Sequence, residues 1–541
     1  MSKMRKASLR KGIDRRTFLA AAASTAALPM LPGDVFAAAK AGGQVNFAAW
    51  PPPTYLTSAV TTAGPEIMLG SKFFDGLLDY DFGMKPKPSL AESFEISPDG
   101  KRITFHLRKD IKWHDGKPFT SKDVAVTLMQ ITKVVHGRGR VTFRNLTGIE
   151  TPDDHTAIFV MSKPSAAVIK SLDSIEVPIQ PAHLYDGTDI MKNPNNVKPV
   201  GTGPWKLVSY KIGESVVMER NADYWRKNMP HIDTLTIQYV NDTATRTALL
   251  ETGDVDVVPY SMVPLPDVDR LKKTGKFDIT DKGYETLLSL QFMDFNLEHP
   301  ILKKRDVRQA LAHAIDPKWV AENVWMGYSY AATGPIHQDQ TEFYTTDGVP
   351  SYPFNLKKAE ELLDAAGHPR GANKIRFEIT MAPLPWGDEP LKTAEYIREQ
   401  FRQIGVQMNI VTSDMGAFVK RVYTDRQFDL NMIIGTSGAD PVIGVHRFYL
   451  STAFKPGVAF GNGSGFKNAE VDALLEAAEV ELDAAKRRDQ YKKFQQIIMT
   501  ELPSLPIIAC NRLTVSNKRV RDHTVGADGA IGSMAEAWLQ S

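Results

Sequence analysis

Cysteine is almost absent from this 541-residue chain, which carries only Cys510. A single thiol excludes an internal disulfide framework and any cysteine-built metal site. It also excludes a lipid anchor on a cysteine at an export cleavage point. Cys510 follows the apolar residues 505–509, a setting that predicts a buried, inert thiol. Long apolar runs are missing as well. Residues 18–31 are Ala-rich, broken by Pro29 and well short of the ~20 residues a membrane span needs. No later stretch is long enough either. Charge of one sign is not in excess: the net charge of +2 leaves no nucleic-acid footprint and no polybasic membrane patch. The signatures of common enzymes are also lacking, with no G-x-S-x-G elbow, no H-E-x-x-H, no helix-opening G-x-G-x-x-G and no C-x-x-C. The histidines are dispersed, and none shows metal-ligand spacing. No cofactor is expected.

What is present is an ordinary soluble composition, 43% hydrophobic and 24% charged, in a chain long enough for two or three lobes. Residues 1–11 are basic, Arg15-Arg16 form a twin-arginine pattern, and Ala37-Ala38-Ala39 fit a small-residue cleavage site. Together they predict an export leader cleaved after Ala39.

The densest local grammar lies in residues 89–124. Phe94 and Ile96 alternate with polar neighbours, Ser97-Pro98-Asp99-Gly100 is turn chemistry, and Ile103, Phe105 and Leu107 make a return strand. His114-Asp115-Gly116-Lys117-Pro118 is a second turn, after which Thr120 or Ser121 can cap a helix. His114 and Asp115 are adjacent in a turn and point different ways, so this element reads as structural. Residues 67–79 and 124–135 are helix-like. The glycines of Val200-Gly201-Thr202-Gly203-Pro204-Trp205 lack the Lys-Ser/Thr of a phosphate loop and predict a structural turn. Strand–helix–strand order across residues 375–411 predicts a parallel sheet.

The run from the PDG turn through LRKDIKWHDG to PFTSKDV resembles the family-5 extracytoplasmic solute-binding proteins, the peptide, nickel and opine receptors of ABC importers. Gly201–Trp205, Gly253-Asp254-Val255-Asp256, and Asn296-Leu297-Glu298-His299-Pro300 leading into residues 307–316 extend the likeness over nearly all of the chain beyond the leader. The resemblance implies an α/β fold, a two-lobed periplasmic binding protein (type II, cluster C-like) with an extra α+β subdomain in the first lobe. The expected organisation is a leader at 1–39, a first lobe at 40–285 with the subdomain at about 80–200, a second lobe at 286–509, and a return to the first lobe at 510–541.

It further implies a periplasmic, monomeric receptor that captures an oligopeptide, a peptide-like or an opine-like solute and delivers it to permease subunits, with no nucleic-acid partner. The competing readings are a twin-arginine-exported enzyme, a receptor for a metal chelate or other anion, and a chaperone or sensor built on the same fold. Ligand-contact candidates are Trp50 and Tyr55 in the loop after the first strand, Trp386 in a Pro/Gly-rich loop, and Thr436 and Asp440 in the Gly/Ser/Thr-rich turn after residues 428–434. For the aromatics the alternative is packing. For Asp440, which precedes Pro441, it is capping of its own turn. Arg140, with Arg138 and Arg144, occupies the loop where nickel-chelate relatives pair an arginine with an anionic ligand; a solvated basic loop is the other reading.

Overall fold

The strand Gln44–Ala49 buries Val45, Phe47, Ala48 and Ala49 and sits inside a seven-stranded sheet. In the computed structural model, which describes residues 42–540, it runs parallel to Thr234–Tyr239 on one side and Val257–Val258 on the other. The leader and its cleavage point at Ala39 lie outside the described residues. The outer strands of this sheet, Trp205–Lys211, Ser215–Arg220, Phe277–Thr280 and Thr514–Asn517, pair antiparallel.

A second, six-stranded sheet is built on Ser289–Phe295, every residue of which is buried. Leu430–Thr436 and Ser504–Cys510 flank it, both antiparallel. Phe377–Pro383 runs parallel to Val406–Ile410 and to Leu430–Thr436. The parallel sheet expected from sequence is therefore parallel over three strands only. The helix Glu389–Gln403 supplies the crossover that one parallel pair requires. Ser289–Phe295 and Ser504–Cys510 belong to the two segments that cross between the sheets, and they enter antiparallel. These two sheets make the two lobes.

A third sheet, antiparallel, joins Ala91–Ile96, Arg102–Leu107, Thr156–Met161 and Leu146–Asp153. Its first turn is closed by Gly100 at φ 66°, whose N–H donates to the Ser97 carbonyl at 2.8 Å. The His114 imidazole fastens this unit to the glycine turn of the first lobe. Gly201 N–H donates to His114 Nδ1 at 3.2 Å, which leaves Nε2 to donate to the Gly203 carbonyl at 2.9 Å. Burial pulls the His114 pKa down to about 4, so the ring is neutral and fixed in that tautomer. A side chain at Gly201 would put Cβ 1.7 Å from the Phe73 carbonyl oxygen, so only glycine fits this turn.

Two helices differ from expectation. The first spans Gly64–Phe73 and stops short of residue 79. Gly76 passes so close to the Leu172–Asp173 backbone that a Cβ would lie 2.4 Å from it, and Leu78–Tyr80 then pairs as a strand with Pro86–Pro88. The second is α-helical over Ser121–Val126 and widens to a π-helix over Thr127–Thr132. There the Thr127 hydroxyl donates to the Asp123 carbonyl at 2.8 Å and accepts from Gln180 N–H at 2.8 Å, so it competes with the helix ladder. Among the described residues, no helix is long and apolar enough to cross a membrane.

Candidate ligand-binding site

Loops that follow strand ends line the crevice of an α/β sheet, and here three such loops converge between the lobes. The strand Gln44–Ala49 delivers Trp50, and Val257–Val258 delivers Tyr260 and Met262. From the other lobe, Phe377–Pro383 delivers Trp386, with Met326 and Met415 beside it. They enclose a cavity of about 680 Å³. Its rim carries Arg246, Asp388, Glu389 and Lys392, and burial pushes the Glu389 carboxyl above its ordinary range. Two indoles and a phenol offer flat apolar faces, and three thioethers adapt to irregular shapes. The volume suits a ligand of several residues or a comparable small molecule.

The first-lobe wall is strained and tied down. Tyr260 and Ser261 both hold positive φ, 67° and 55°, an uncommon state for side chains of this kind. Tyr260 N–H donates to the Tyr284 hydroxyl at 2.7 Å, while Ser261 and Leu513 exchange two 2.8 Å bonds. Tyr284 and Leu513 lie on the two segments that pass between the lobes, so the cavity wall and both crossings form one hydrogen-bonded unit. Arg512 stacks on the Tyr260 ring at 4.5 Å and lines a second cavity of about 390 Å³ beside the crossings, opposite Gln340 and Phe343.

Trp50 and Trp386 are brought together in the larger cavity, Trp386 remaining 38% exposed. The other four candidates are not brought there. Tyr55 packs with Ala59, Val60, Ile131 and Tyr185. Thr436 closes its strand opposite Ser289, and its carbonyl accepts from Arg447 Nη2 at 3.3 Å. Arg140 is exposed on the short helix Gly139–Thr142. Its neighbour Arg138 is the buried one and pairs with Glu176 at 2.6 Å. Asp440 is wholly buried. Its two oxygens accept from Arg487 Nη1 and Nη2, each at 2.7 Å, and Oδ1 also accepts from Val442 N–H at 3.0 Å at the start of the helix Pro441–Gly444. Burial works against the Asp440 anion, but the Arg487 charge and its hydrogen bonds outweigh burial and hold the carboxyl below its ordinary range.

Sequence reasoning missed Tyr260, Met262, Met326 and Met415. The signal for the first two was present: Tyr260 and Met262 follow a buried strand among Pro259, Pro264 and Pro266, the same grammar as Trp50 before Pro51-Pro52-Pro53. The two methionines of the second lobe leave no comparable mark. Among the described residues, no group of three or more His, Cys, Asp or Glu is placed to hold a metal ion.

Two α/β lobes joined by two crossings, with an aromatic cavity between them, define the class of two-lobed solute receptors. The comparisons are specific within that class. Residues 85–456 match the bacterial extracellular solute-binding proteins, family 5 Middle. The chain is 30% identical over 445 residues to heme-binding protein A of Haemophilus influenzae, covering 78% of each chain. It is 28% identical to di/tripeptide-binding protein 1 of Pseudomonas aeruginosa, over 89% of this chain and 90% of that one. The fold is that of the oligopeptide-binding protein AppA from Bacillus subtilis, solved with a nonapeptide, at TM-score 0.79 and 24% identity over 93% of this chain and 100% of that one. The chain belongs to the family 5 bacterial extracellular solute-binding proteins, the receptors of ABC importers.

Proposed function

We propose that this chain captures an oligopeptide, or a peptide-like or opine-like small molecule, between its lobes and hands it to the permease subunits of an ABC importer. The observation that carries this reading is the cavity of about 680 Å³ whose aromatic and thioether walls come from both lobes. Peptide-binding and heme-binding relatives fit a site of that size and adaptability. In this reading the first lobe covers residues 40–285 and the second 286–509, with a return at 510–541. Trp50 and Trp386 grip the solute from opposite sides. The protein is exported by its twin-arginine leader, cleaved after Ala39, and works in the periplasm as a free monomer without a lipid anchor. It binds its solute without converting it.

Closure is the working step. Contacts that exist only when the lobes meet favour the closed state, and a solute touching both lobes shifts the population the same way. Such contacts include Arg144 paired with the buried Glu479, Asn145 Nδ2 donating to Glu479 at 3.0 Å, Lys170 paired with Glu342, and the Tyr328 hydroxyl donating to Asp269 at 2.7 Å. Arg144→Gln leaves Glu479 without its cation in the closed form. It is expected to weaken solute affinity by roughly threefold to tenfold through a faster off-rate, read by surface plasmon resonance.

The reading is tested by thermal shift with di- and tripeptides, alongside mass spectrometry of the same samples. Binding to the native state alone raises the melting temperature by a few degrees at saturating ligand, with the peptides recovered intact. Recovery of hydrolysed or modified peptide would overturn the receptor reading. Trp386→Ala is expected to weaken binding about tenfold, with ligand-free stability nearly unchanged because the side chain is partly exposed.

A further inference from the structure

We propose that the Tyr260–Ser261 segment couples the cavity to the two crossings between the lobes, with Tyr284 as the positioning residue that holds it. Occupation of the first-lobe wall and closure of the lobes then favour one another. This rests on the receptor reading above and adds to it the part of the chain through which a solute acts on the crossings.

The segment does not keep its shape by its own preference. Among the described residues, Tyr260 and Ser261 are the one adjacent pair of non-glycine residues with positive φ. Each carries the clash of Cβ with the backbone that a glycine escapes. Such residues persist only where their surroundings over-determine them. Here the surroundings are the crossings themselves. The Tyr284 hydroxyl accepts the Tyr260 N–H at 2.7 Å and bonds Thr514 Oγ1 at 2.7 Å, so one phenol ties the segment to both crossings. Leu513 holds the next residue: its carbonyl accepts from Ser261 N–H and its own N–H donates to Ser261 Oγ, both at 2.8 Å.

The Tyr260 side chain is half-buried, lines the cavity and is boxed in elsewhere. Tyr284 meets its ring edge-on at 5.8 Å, and Arg512 lies over it at 4.5 Å. Gly64 passes so close that a Cβ there would stand 3.3 Å from Cζ and Oη. Arg512 Nη2 also donates to Ser289 Oγ at 3.2 Å, and Ser289 opens the buried strand of the second lobe. Pressure on the ring from the cavity side therefore bears on both crossings and, through Arg512, on the second lobe. Segments that cross between lobes absorb the backbone rotation when the lobes open. Hydrogen bonds anchored on them change with that motion, whereas bonds within one lobe need not. As the crossings turn, Tyr260 and Ser261 lose the partners that enforce their left-handed backbone. A solute packed on the Tyr260 ring holds the segment in the form that the closed crossings require, which is a population shift through a two-state element.

The experiment uses the full chain without ligand, so its outcome does not depend on which solute binds. Hydrogen exchange of residues 257–264 and 510–516 and small-angle X-ray scattering are measured for the wild type, Tyr284→Phe, Ser261→Ala and Ser261→Gly. The two Ser261 variants both lack the hydroxyl and differ in that glycine accepts positive φ. Ser261→Gly is expected to exchange about fivefold more slowly than Ser261→Ala in both segments. It is also expected to have the smaller radius of gyration, because easing the strain favours the closed crossings. Tyr284→Phe is expected to speed exchange in both segments by about fivefold, with a radius of gyration no smaller than that of the wild type. Equal radii for the two Ser261 variants overturn the proposal even where their exchange or melting temperatures differ, since the segment would then be a fixed brace of the first lobe. Exchange that changes in residues 257–264 alone overturns it as well. Either result leaves the receptor reading standing, which fails instead on chemical conversion of a bound peptide.

Discussion

Asp440→Ala is expected to destabilise the protein by about 3–5 kcal/mol, because it leaves the Arg487 guanidinium buried without its anion. The pair is enclosed on all sides, with Asp440 at 0% and the Arg487 side chain at 3% exposure. Arg487 reaches the carboxylate with two 2.7 Å bonds and spends Nε on the Ala478 carbonyl at 2.8 Å. The rings of Phe343 and Tyr491 flank the guanidinium at 4.8 and 5.4 Å. His446 supplies no alternative charge: burial drives its pKa down to about 3, and its Nε2 bonds with the Tyr491 hydroxyl at 3.0 Å. Removing both charges together, as Asp440→Ala with Arg487→Met, is expected to recover most of the loss, since the cost lies in the orphaned ion. Urea unfolding of the two single variants and the double variant closes the cycle. The same variants separate the two sequence readings of Asp440. A contact with the solute would show as lost affinity at intact stability; a turn lock predicts the reverse. The folded pKa of Asp440 is depressed, so its contribution is present above the unfolded carboxylate range and is lost as pH falls through the lower folded value.

Asp440 also marks the boundary of what the sequence could say. Its turn, the following Pro441 and the strand before it were all legible, because they depend on neighbours within a few residues. Its partner was not. Arg487 lies 47 residues away on the helix Ala484–Glu501, in a stretch rich in charge where no single arginine stands out. The same division runs through the fold. The hairpin at Gly100 and the glycine turn at Gly201 follow from turn chemistry and alternation. The direction of Ser289–Phe295 against its neighbours does not, because strand–helix–strand order fixes direction only where a helix makes the connection. In the cleft, Trp50 and Trp386 were legible as aromatics in loops after strand ends. Arg140 was chosen over Arg138 although the two lie two residues apart, and only packing shows which of them is buried.

Asp294→Asn is expected to leave stability near pH 4 unchanged and to raise it above pH 7. Asp294 sits next to the end of the wholly buried strand Ser289–Phe295, at 3% exposure. Its one hydrogen bond to a side-chain amide is long, from Asn431 Nδ2 at 3.3 Å. Gly463 lies so close that a Cβ there would approach Oδ2 to 2.7 Å, which leaves little room for water. Burial therefore dominates and pushes the carboxyl from 3.8 up to about 7, against the smaller opposing effects of Asn431, the Arg426 charge and Ser504. The sign follows from linkage. The folded protein keeps this proton across a window in which the unfolded chain has released it. The contribution is thus complete below pH 3.8, is lost progressively as pH rises to about 7, and stays lost above. The full difference is bounded at about 4 kcal/mol. An asparagine keeps the shape without the charge and removes that loss, so wild type and variant should diverge by a few kcal/mol between pH 4.5 and 8 in urea unfolding. Asp173 and Asp528 are also buried carboxyls pushed upward, and they add the same slope to both proteins. The difference between the two curves therefore isolates Asp294, and curves that ran parallel across this range would show that the ionised carboxylate is accommodated inside the second lobe at no cost.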